Sequence, residues 1–249
     1  MKVLVIGDLL GSDEWKNCGD ISKLLKEKTI PEYDFYVFLG NYIVRNEEIT
    51  PEVASFFREV INFKLEYPNK VVLLIGEHDL NFLLDKKELK KFSLFVSKWT
   101  IQKVGRRLFK EYEHLFQPVF QLGNNIFSNS LIHKNWYKLN LLPELRKEKP
   151  YKNLYINIAD RINIAWKHRV KALFYRIMEY NMYTGKRKIP SLFYQNSHEI
   201  TDCIEDTKNY IGRISLDREH VYIKNDYTKI HLINTDNEDV SCKIINIKN

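Results

Sequence analysis

The stretch Val71-Val-Leu-Leu-Ile75-Gly76-Glu77-His78-Asp79 decides the fold. Five apolar residues are too few for a buried helix, and they stop at a glycine followed by polar residues, as a strand buried on both faces does. The pattern stands twice more upstream: Lys2-Val-Leu-Val-Ile6 runs into Gly7-Asp8, and Tyr36-Val-Phe-Leu39 runs into Gly40-Asn41. Helical periods fill the gaps. Trp15, Ile21, Leu24 and Leu25 recur at helical spacing between Asp13 and Lys28. Thr50-Pro51-Glu52 opens a second helix, with Thr50 as cap, and Phe56, Phe57, Val60, Ile61 and Leu65 carry it to Pro68. Strands alternating with helices predict a parallel βαβαβ sheet, whose sites lie at the carboxyl ends of the strands. Three such ends in register predict one pocket.

Further along, the pattern is helical from Leu83 to about Phe116, then a strand pair from Val119 to Ser128 turning at Gly123-Asn124-Asn125. Ala159 to Met182 is the clearest later helix, and Tyr210 to Ile247 alternates as strands do. No repeat or Gly/Ser linker marks a boundary, so the reading is one α/β domain over 1–249, with 137–190 as a basic helical insertion.

Hydrophobic residues make up 44% of the 249, enough for a core and too many for a disordered chain. No apolar run approaches a membrane span, and Met1 to Ile6 is too short for a signal-peptide core, so no membrane partner is expected. Three cysteines, Cys18, Cys203 and Cys242, have no close spacing in sequence. That set predicts a reducing compartment, hence the cytoplasm, and neither a disulfide framework nor a zinc site. The net charge of +7 is uneven. Lys134 to Lys188 holds 14 Lys/Arg against four Asp/Glu, so this segment carries +10 and the rest sums to −3. Lys167, Arg169, Lys171, Arg176, Lys186, Arg187 and Lys188 are its candidate surface for a polyanion or protein partner. Trp166 within that run is read as a packing residue, as is Trp136, although cations interleaved with aromatics also suit nucleic acid.

The strand-end motifs resemble those of the calcineurin-like metallophosphoesterases, in their phage and bacterial branch. Gly7-Asp8-Leu9-Leu10-Gly11 resembles the first block, Gly40-Asn41-Tyr42 the second and Gly76-Glu77-His78-Asp79 the third. Ile126-Phe127-Ser128-Asn129-Ser130, with Lys134 and Trp136 beyond, resembles the fourth, and Ile211-Gly212-Arg213-Ile214-Ser215 stands where the fifth is expected. The resemblance implies a β-sandwich of two mixed sheets flanked by helices. It also implies two-metal hydrolysis of a phosphoester, in which paired cations need a bridging carboxylate and several N/O ligands.

The chain departs from that ligand pattern. Asp8 is kept, but Leu10 replaces a histidine, Asn41 the bridging aspartate, Glu77 an asparagine, Asn129 a histidine, and Arg213, with Ser215 two residues on, another histidine. Arginine is always protonated and cannot ligate a metal. His78, the family's acid or phosphate-binding histidine, remains. His133 offers a different register for the fourth block; Asn129 is preferred because it also aligns Phe127, Ser128 and Trp136. The Arg213 guanidinium is expected to pair with Glu77, Asp8 or both where a cation sits in the family. The leading reading is a catalytically degenerate phosphoesterase fold that needs no cofactor and serves an unknown protein partner. Two alternatives stand beside it. One is an active phosphoesterase holding a single Mg or Mn ion through Asp8, Asn41, Glu77 and Asn129, with His78 as acid. The other is a nucleic-acid or phosphate-binding module using the basic segment. An abundance of Lys, Ile and Asn suits an AT-rich genome, such as that of a bacterium or its phage.

Overall fold

A computed structural model describes residues 1–43, 49–85, 87–88, 103–147, 157–174, 177–181, 185–189, 204, 207–212, 230–233 and 242–247. Strands β1 (Lys2–Ile6), β2 (Phe35–Phe38) and β3 (Val71–Leu74) are the three apolar runs. They pair in parallel, with β4 (Phe116–Gln117) parallel beyond β3 and β11 (Cys242–Asn246) antiparallel beside β1, giving the order β11-β1-β2-β3-β4. The second sheet runs β10 (Ile230–Leu232), β9 (Lys208–Ile211), β6 (Asn125–Ser128), β5 (Val119–Leu122). The β5–β6 hairpin turns where expected, at Gly123, whose φ of 55° suits a glycine.

Strand alternation divides the core. Val3, Val5, Val37, Leu39, Val72 and Leu74, with Ile245 of β11 beside Val3, face the second sheet and meet Phe127, Tyr210 and Ile233. Leu4, Ile6, Tyr36, Phe38 and Leu73 face the other way, onto helices α1 (Ile21–Glu27) and α2 (Pro51–Glu66) and the indole of Trp15. Each apolar strand is thus buried on both faces, which is why it reads as an unbroken hydrophobic run. Helix α2 starts as expected: the Thr50 hydroxyl accepts from the Val53 N–H at 3.3 Å with Pro51 in the first turn.

Three expected helices are shortened. Asp13 to Lys28 is a 3-10 turn at Glu14–Asn17 and then α1, divided at Gly19. That glycine has φ 57° and lies so close to Leu4 and Tyr33 that a Cβ would stand 2.9 Å from each. Where helix is expected from Leu83 to about Phe116, α3 (Leu80–Leu83) ends at Leu83, and α4 (Lys103–Glu111) and a 3-10 turn precede β4 among the described residues. Helix α5 (Leu142–Lys147) follows a π-helical turn at Trp136–Leu141. Helix α6 spans Ile158–Lys167 and stops, whereas the sequence predicts helix to Met182. The Val170 N–H donates to Ala165 O at 2.9 Å and the Arg169 N–H to Trp166 O at 3.0 Å, around Arg169 at φ 50°. This is the left-handed closure usually built on glycine. Beyond it, β7 (Ile177–Asn181) and β8 (Gly185–Ile189) form a separate hairpin.

Candidate functional site

The loops after β1, β2, β3 and β6 converge at the carboxyl end of the first sheet. The turns just past β2 and β3 come closest: a Cβ on Gly40 (φ 102°) would lie 2.3 Å from the Gly76 nitrogen, and one on Gly76 would lie 2.2 Å from Asn41 Oδ1. Only glycine lets the ends of β2 and β3 touch backbone to backbone. The loop after β1 is stitched alongside, with Leu10 N–H donating to Asn41 O at 2.9 Å and Gly11 N–H to Tyr42 O at 2.8 Å. Leu10, at the position of a family histidine, takes φ 49° and is 40% exposed, so it coordinates nothing and sits at the rim.

Asp8 is buried at the centre. The Asn41 amide donates from Nδ2 to Asp8 Oδ2 at 3.0 Å, and the Asn129 amide donates from Nδ2 to Asp8 Oδ1 at 3.4 Å and to Leu39 O at 3.0 Å. Backbone groups fix both amide orientations. His78 N–H donates to Asn41 Oδ1 at 2.9 Å and Glu77 N–H donates to Asn129 Oδ1 at 3.3 Å. An N–H can only donate and a carbonyl can only accept, so in each amide the NH2 must be the end that turns to Asp8. Gly212 closes the fourth side. Its N–H donates to Asn129 O at 3.0 Å, and a Cβ on it would be 3.2 Å from both Asp8 Oδ1 and Asn129 Nδ2.

Asp79 holds this arrangement together. It is fully buried and accepts three backbone N–H groups: Gly76 and Asn41 on Oδ2, both at 2.8 Å, and Tyr42 on Oδ1 at 3.0 Å. Burial pushes its carboxyl up to about 7, against the pull of those donors, and the Asp8 charge adds to the rise. Sequence reasoning gave Asp79 no role. The available signal was its place three residues after Gly76, where a short acceptor can reach back to the glycine N–H.

Asp8, Asn41 and Asn129 therefore meet, joined by the backbones of Glu77 and His78. His133 is buried, its Nδ1 accepts from the Asn135 N–H at 3.2 Å, and its carbonyl accepts from Tyr137 N–H at 3.0 Å at the start of the π-helical turn. Arg213 and Ser215, and with them the expected Arg213 ion pair, lie outside the described residues. Two divalent cations need several oxygen or imidazole donors around each. Here one carboxylate is faced by two NH2 groups, and among the described residues no three His, Cys, Asp or Glu side chains gather to share a metal ion. This donor set does not fit a metal pair.

The basic segment divides in use. Lys167 and Lys171 are exposed. Arg169 is spent internally: it pairs with Glu113, lies 3.4 Å from Glu88, donates to Trp166 O at 3.1 Å and stacks on the Trp166 ring at 3.9 Å. Trp166 is 4% exposed and Trp136 is fully buried with its Nε1 donating to Ala172 O, so both are packing residues and neither offers a ring to a base. Arg176 lies outside the described residues, as do the side chains of Lys186, Arg187 and Lys188 on β8. No described helix is long and apolar enough to cross a membrane.

Comparison with curated proteins finds no match. Among solved structures, the chain is similar to a serine/threonine phosphatase from Saccharomyces cerevisiae with similarity to human phosphatase PP5 (20% identity, 53% of this chain and 39% of that one, TM-score 0.32). It is also similar to the cold-active protein-tyrosine phosphatase of a psychrophile, Shewanella sp. (15% identity, 62% and 54%, TM-score 0.32). It thus spans about half or less of either structure's length. The calcineurin-like phosphoesterase family, whose members are typically metal-dependent hydrolases, matches residues 1–188, which include the strand ends, the hairpin and the Asp8–Asn41–Asn129 cluster. On that match over most of its length, and with the two-sheet sandwich that the family's motifs imply, the chain belongs to the calcineurin-like phosphoesterase family.

Proposed function

We propose that this chain is a pseudophosphatase, a phosphoesterase fold kept for binding a protein partner in the cytoplasm rather than for hydrolysis. The observation that carries the reading is the pair of amides turned onto Asp8. Where the family chemistry needs lone pairs directed at cations, Asn41 and Asn129 direct protons at the remaining carboxylate, and their oxygens are held by His78 and Glu77 N–H groups. The arrangement satisfies a buried charge with hydrogen bonds, as a folded core must. His78 remains beside this cluster, but a proton donor without an activated nucleophile gives no turnover. Exposed Lys167 and Lys171 offer the partner a basic face.

The test is metal content of the purified protein, together with hydrolysis of a generic phosphomonoester and a phosphodiester in Mn²⁺ and in Mg²⁺, with Asp8→Ala as control. The expected result is no stoichiometric metal and no turnover that depends on Asp8. Metal-dependent turnover abolished in Asp8→Ala would overturn the reading in favour of a single-ion phosphoesterase. Salt-dependent binding to a polyanion would instead favour a phosphate- or nucleic-acid-binding module.

A further inference from the structure

Cys18 and Cys242 stand near opposite ends of the chain and meet in the fold. In the β1–β11 pairing, Cys242 lies opposite Ile6 and Ile244 opposite Leu4. Residues paired across adjacent strands point to the same face. Cys242 therefore shares the helix-side face with Leu4 and Ile6, the face on which Trp15, Cys18 and Ile21 are packed. Gly19, the neighbour of Cys18, lies against Leu4 and the Tyr33 ring on that face. The Cys242 side chain is near enough to Cys18 to perturb its thiol. One is exposed and the other is buried.

We propose that Cys18 and Cys242 form a dithiol–disulfide pair that closes on reaction with a low-molecular-weight disulfide, stapling the last strand of the first sheet to the loop entering α1. Burial pushes the Cys18 thiol well above its usual range, so the exposed Cys242 is the attacking group. The Cys242 thiolate attacks one sulfur of the small disulfide, the S–S bond breaks, one thiolate leaves and a mixed disulfide remains on Cys242. The Cys18 sulfur then attacks the Cys242 sulfur, its proton passes to the departing thiolate, and the second small thiol leaves. Two protein thiols are oxidised and one small disulfide is reduced to two thiols. The staple sits beside the strand that leads through Ile6 to Asp8, and it does not depend on whether that site hydrolyses anything.

The experiment uses the native full-length chain, incubated with glutathione disulfide, quenched in acid, alkylated and mapped by mass spectrometry. The expected outcome is a mass lower by two hydrogens, a cross-linked peptide pair containing Cys18 and Cys242, Cys203 still alkylated, and full reversal by dithiothreitol. In Cys242→Ser, a substitution at an exposed edge-strand position, closure is lost. Cys18 then becomes alkylatable only after unfolding, while the reduced variant melts as the reduced parent does. A stable glutathione adduct on Cys242 with Cys18 still a free thiol would overturn the proposal. So would a cross-link between two chains, or one through Cys203.

Discussion

Replacing Asn41 with aspartate restores the carboxylate that the family has at this position and turns the central contact of the site from attraction to repulsion. In the native chain, Asn41 Nδ2 donates to Asp8 Oδ2 at 3.0 Å. Asn41→Asp sets two carboxylate oxygens at that separation. With an effective dielectric near 20, two unit charges about 3 Å apart repel by roughly 5–6 kcal/mol. A cheaper route exists: the pair binds one proton, which for a carboxylate of ordinary pKa costs about 4 kcal/mol at pH 7. The smaller cost wins, so the variant loses about 4 kcal/mol at pH 7. The sign with pH follows from linkage. The pair's folded pKa is raised above the unfolded value, so the deficit is near zero below pH 4 and grows as pH rises towards the raised pKa. Asn41→Ala, by contrast, loses about 1–3 kcal/mol at every pH, because it removes the donor to Asp8 and the acceptor of the His78 N–H without adding a titratable group. Chemical denaturation of the three proteins at pH 5 and pH 7 reads these differences directly. Added Mn²⁺ is expected to stabilise Asn41→Asp and leave the parent unchanged, since a cation that binds only the folded variant shifts its equilibrium. Equal stability of Asn41→Asp and the parent at pH 7, or an equal deficit at both pH values, would refute the placement of the amide protons against Asp8.

Asp79→Asn replaces an acceptor oxygen with an NH2 facing backbone N–H groups, and a loss of about 2–4 kcal/mol is expected in denaturant titration. Because the Asp79 carboxyl is pushed up to about 7, the folded state holds its proton more tightly than the unfolded chain does. Its contribution is therefore largest below about pH 4 and declines as pH rises through 7, a slope that Asp79→Asn should abolish. Gly40→Ala combines a φ of 102° with a Cβ 2.3 Å from the Gly76 nitrogen, so the expected cost is at least about 3 kcal/mol, read as a fall in melting temperature. Arg169→Ala is expected to cost about 1–2 kcal/mol through its ion pairs and stacking, while leaving affinity for heparin unchanged; a fall in heparin affinity would show that this guanidinium serves a polyanion after all.

The first sheet was legible because its strands are buried on both faces. Val71 to Leu74 and its two counterparts must be continuously apolar, and their closing glycines are required by contact between neighbouring backbones. Asp8 and Asn41 could be placed at strand ends for the same reason, whereas Asn129 was named only through the resemblance of Ile126 to Ser130 to the family's fourth block. What escaped was set by partners remote in the chain. The end of α6 carries no glycine; its left-handed residue is Arg169, held by Glu113, Glu88 and the Trp166 ring, and no local rule reads that. Asp79, quoted only as part of the third motif block, drew no role because its three donors belong to two different loops.

By itself, the sequence determined the parallel core, the order of its strands and helices along the chain, and which residue types stand at the strand ends, because burial period and backbone sterics are local. Only tertiary structure decided which way the Asn41 and Asn129 amides point, that Asp79 ties two loops, and that Cys18 and Cys242 come to one face of the first sheet. The direction of a hydrogen bond and the nearness of two thiols depend on groups that folding brings together from distant parts of the chain.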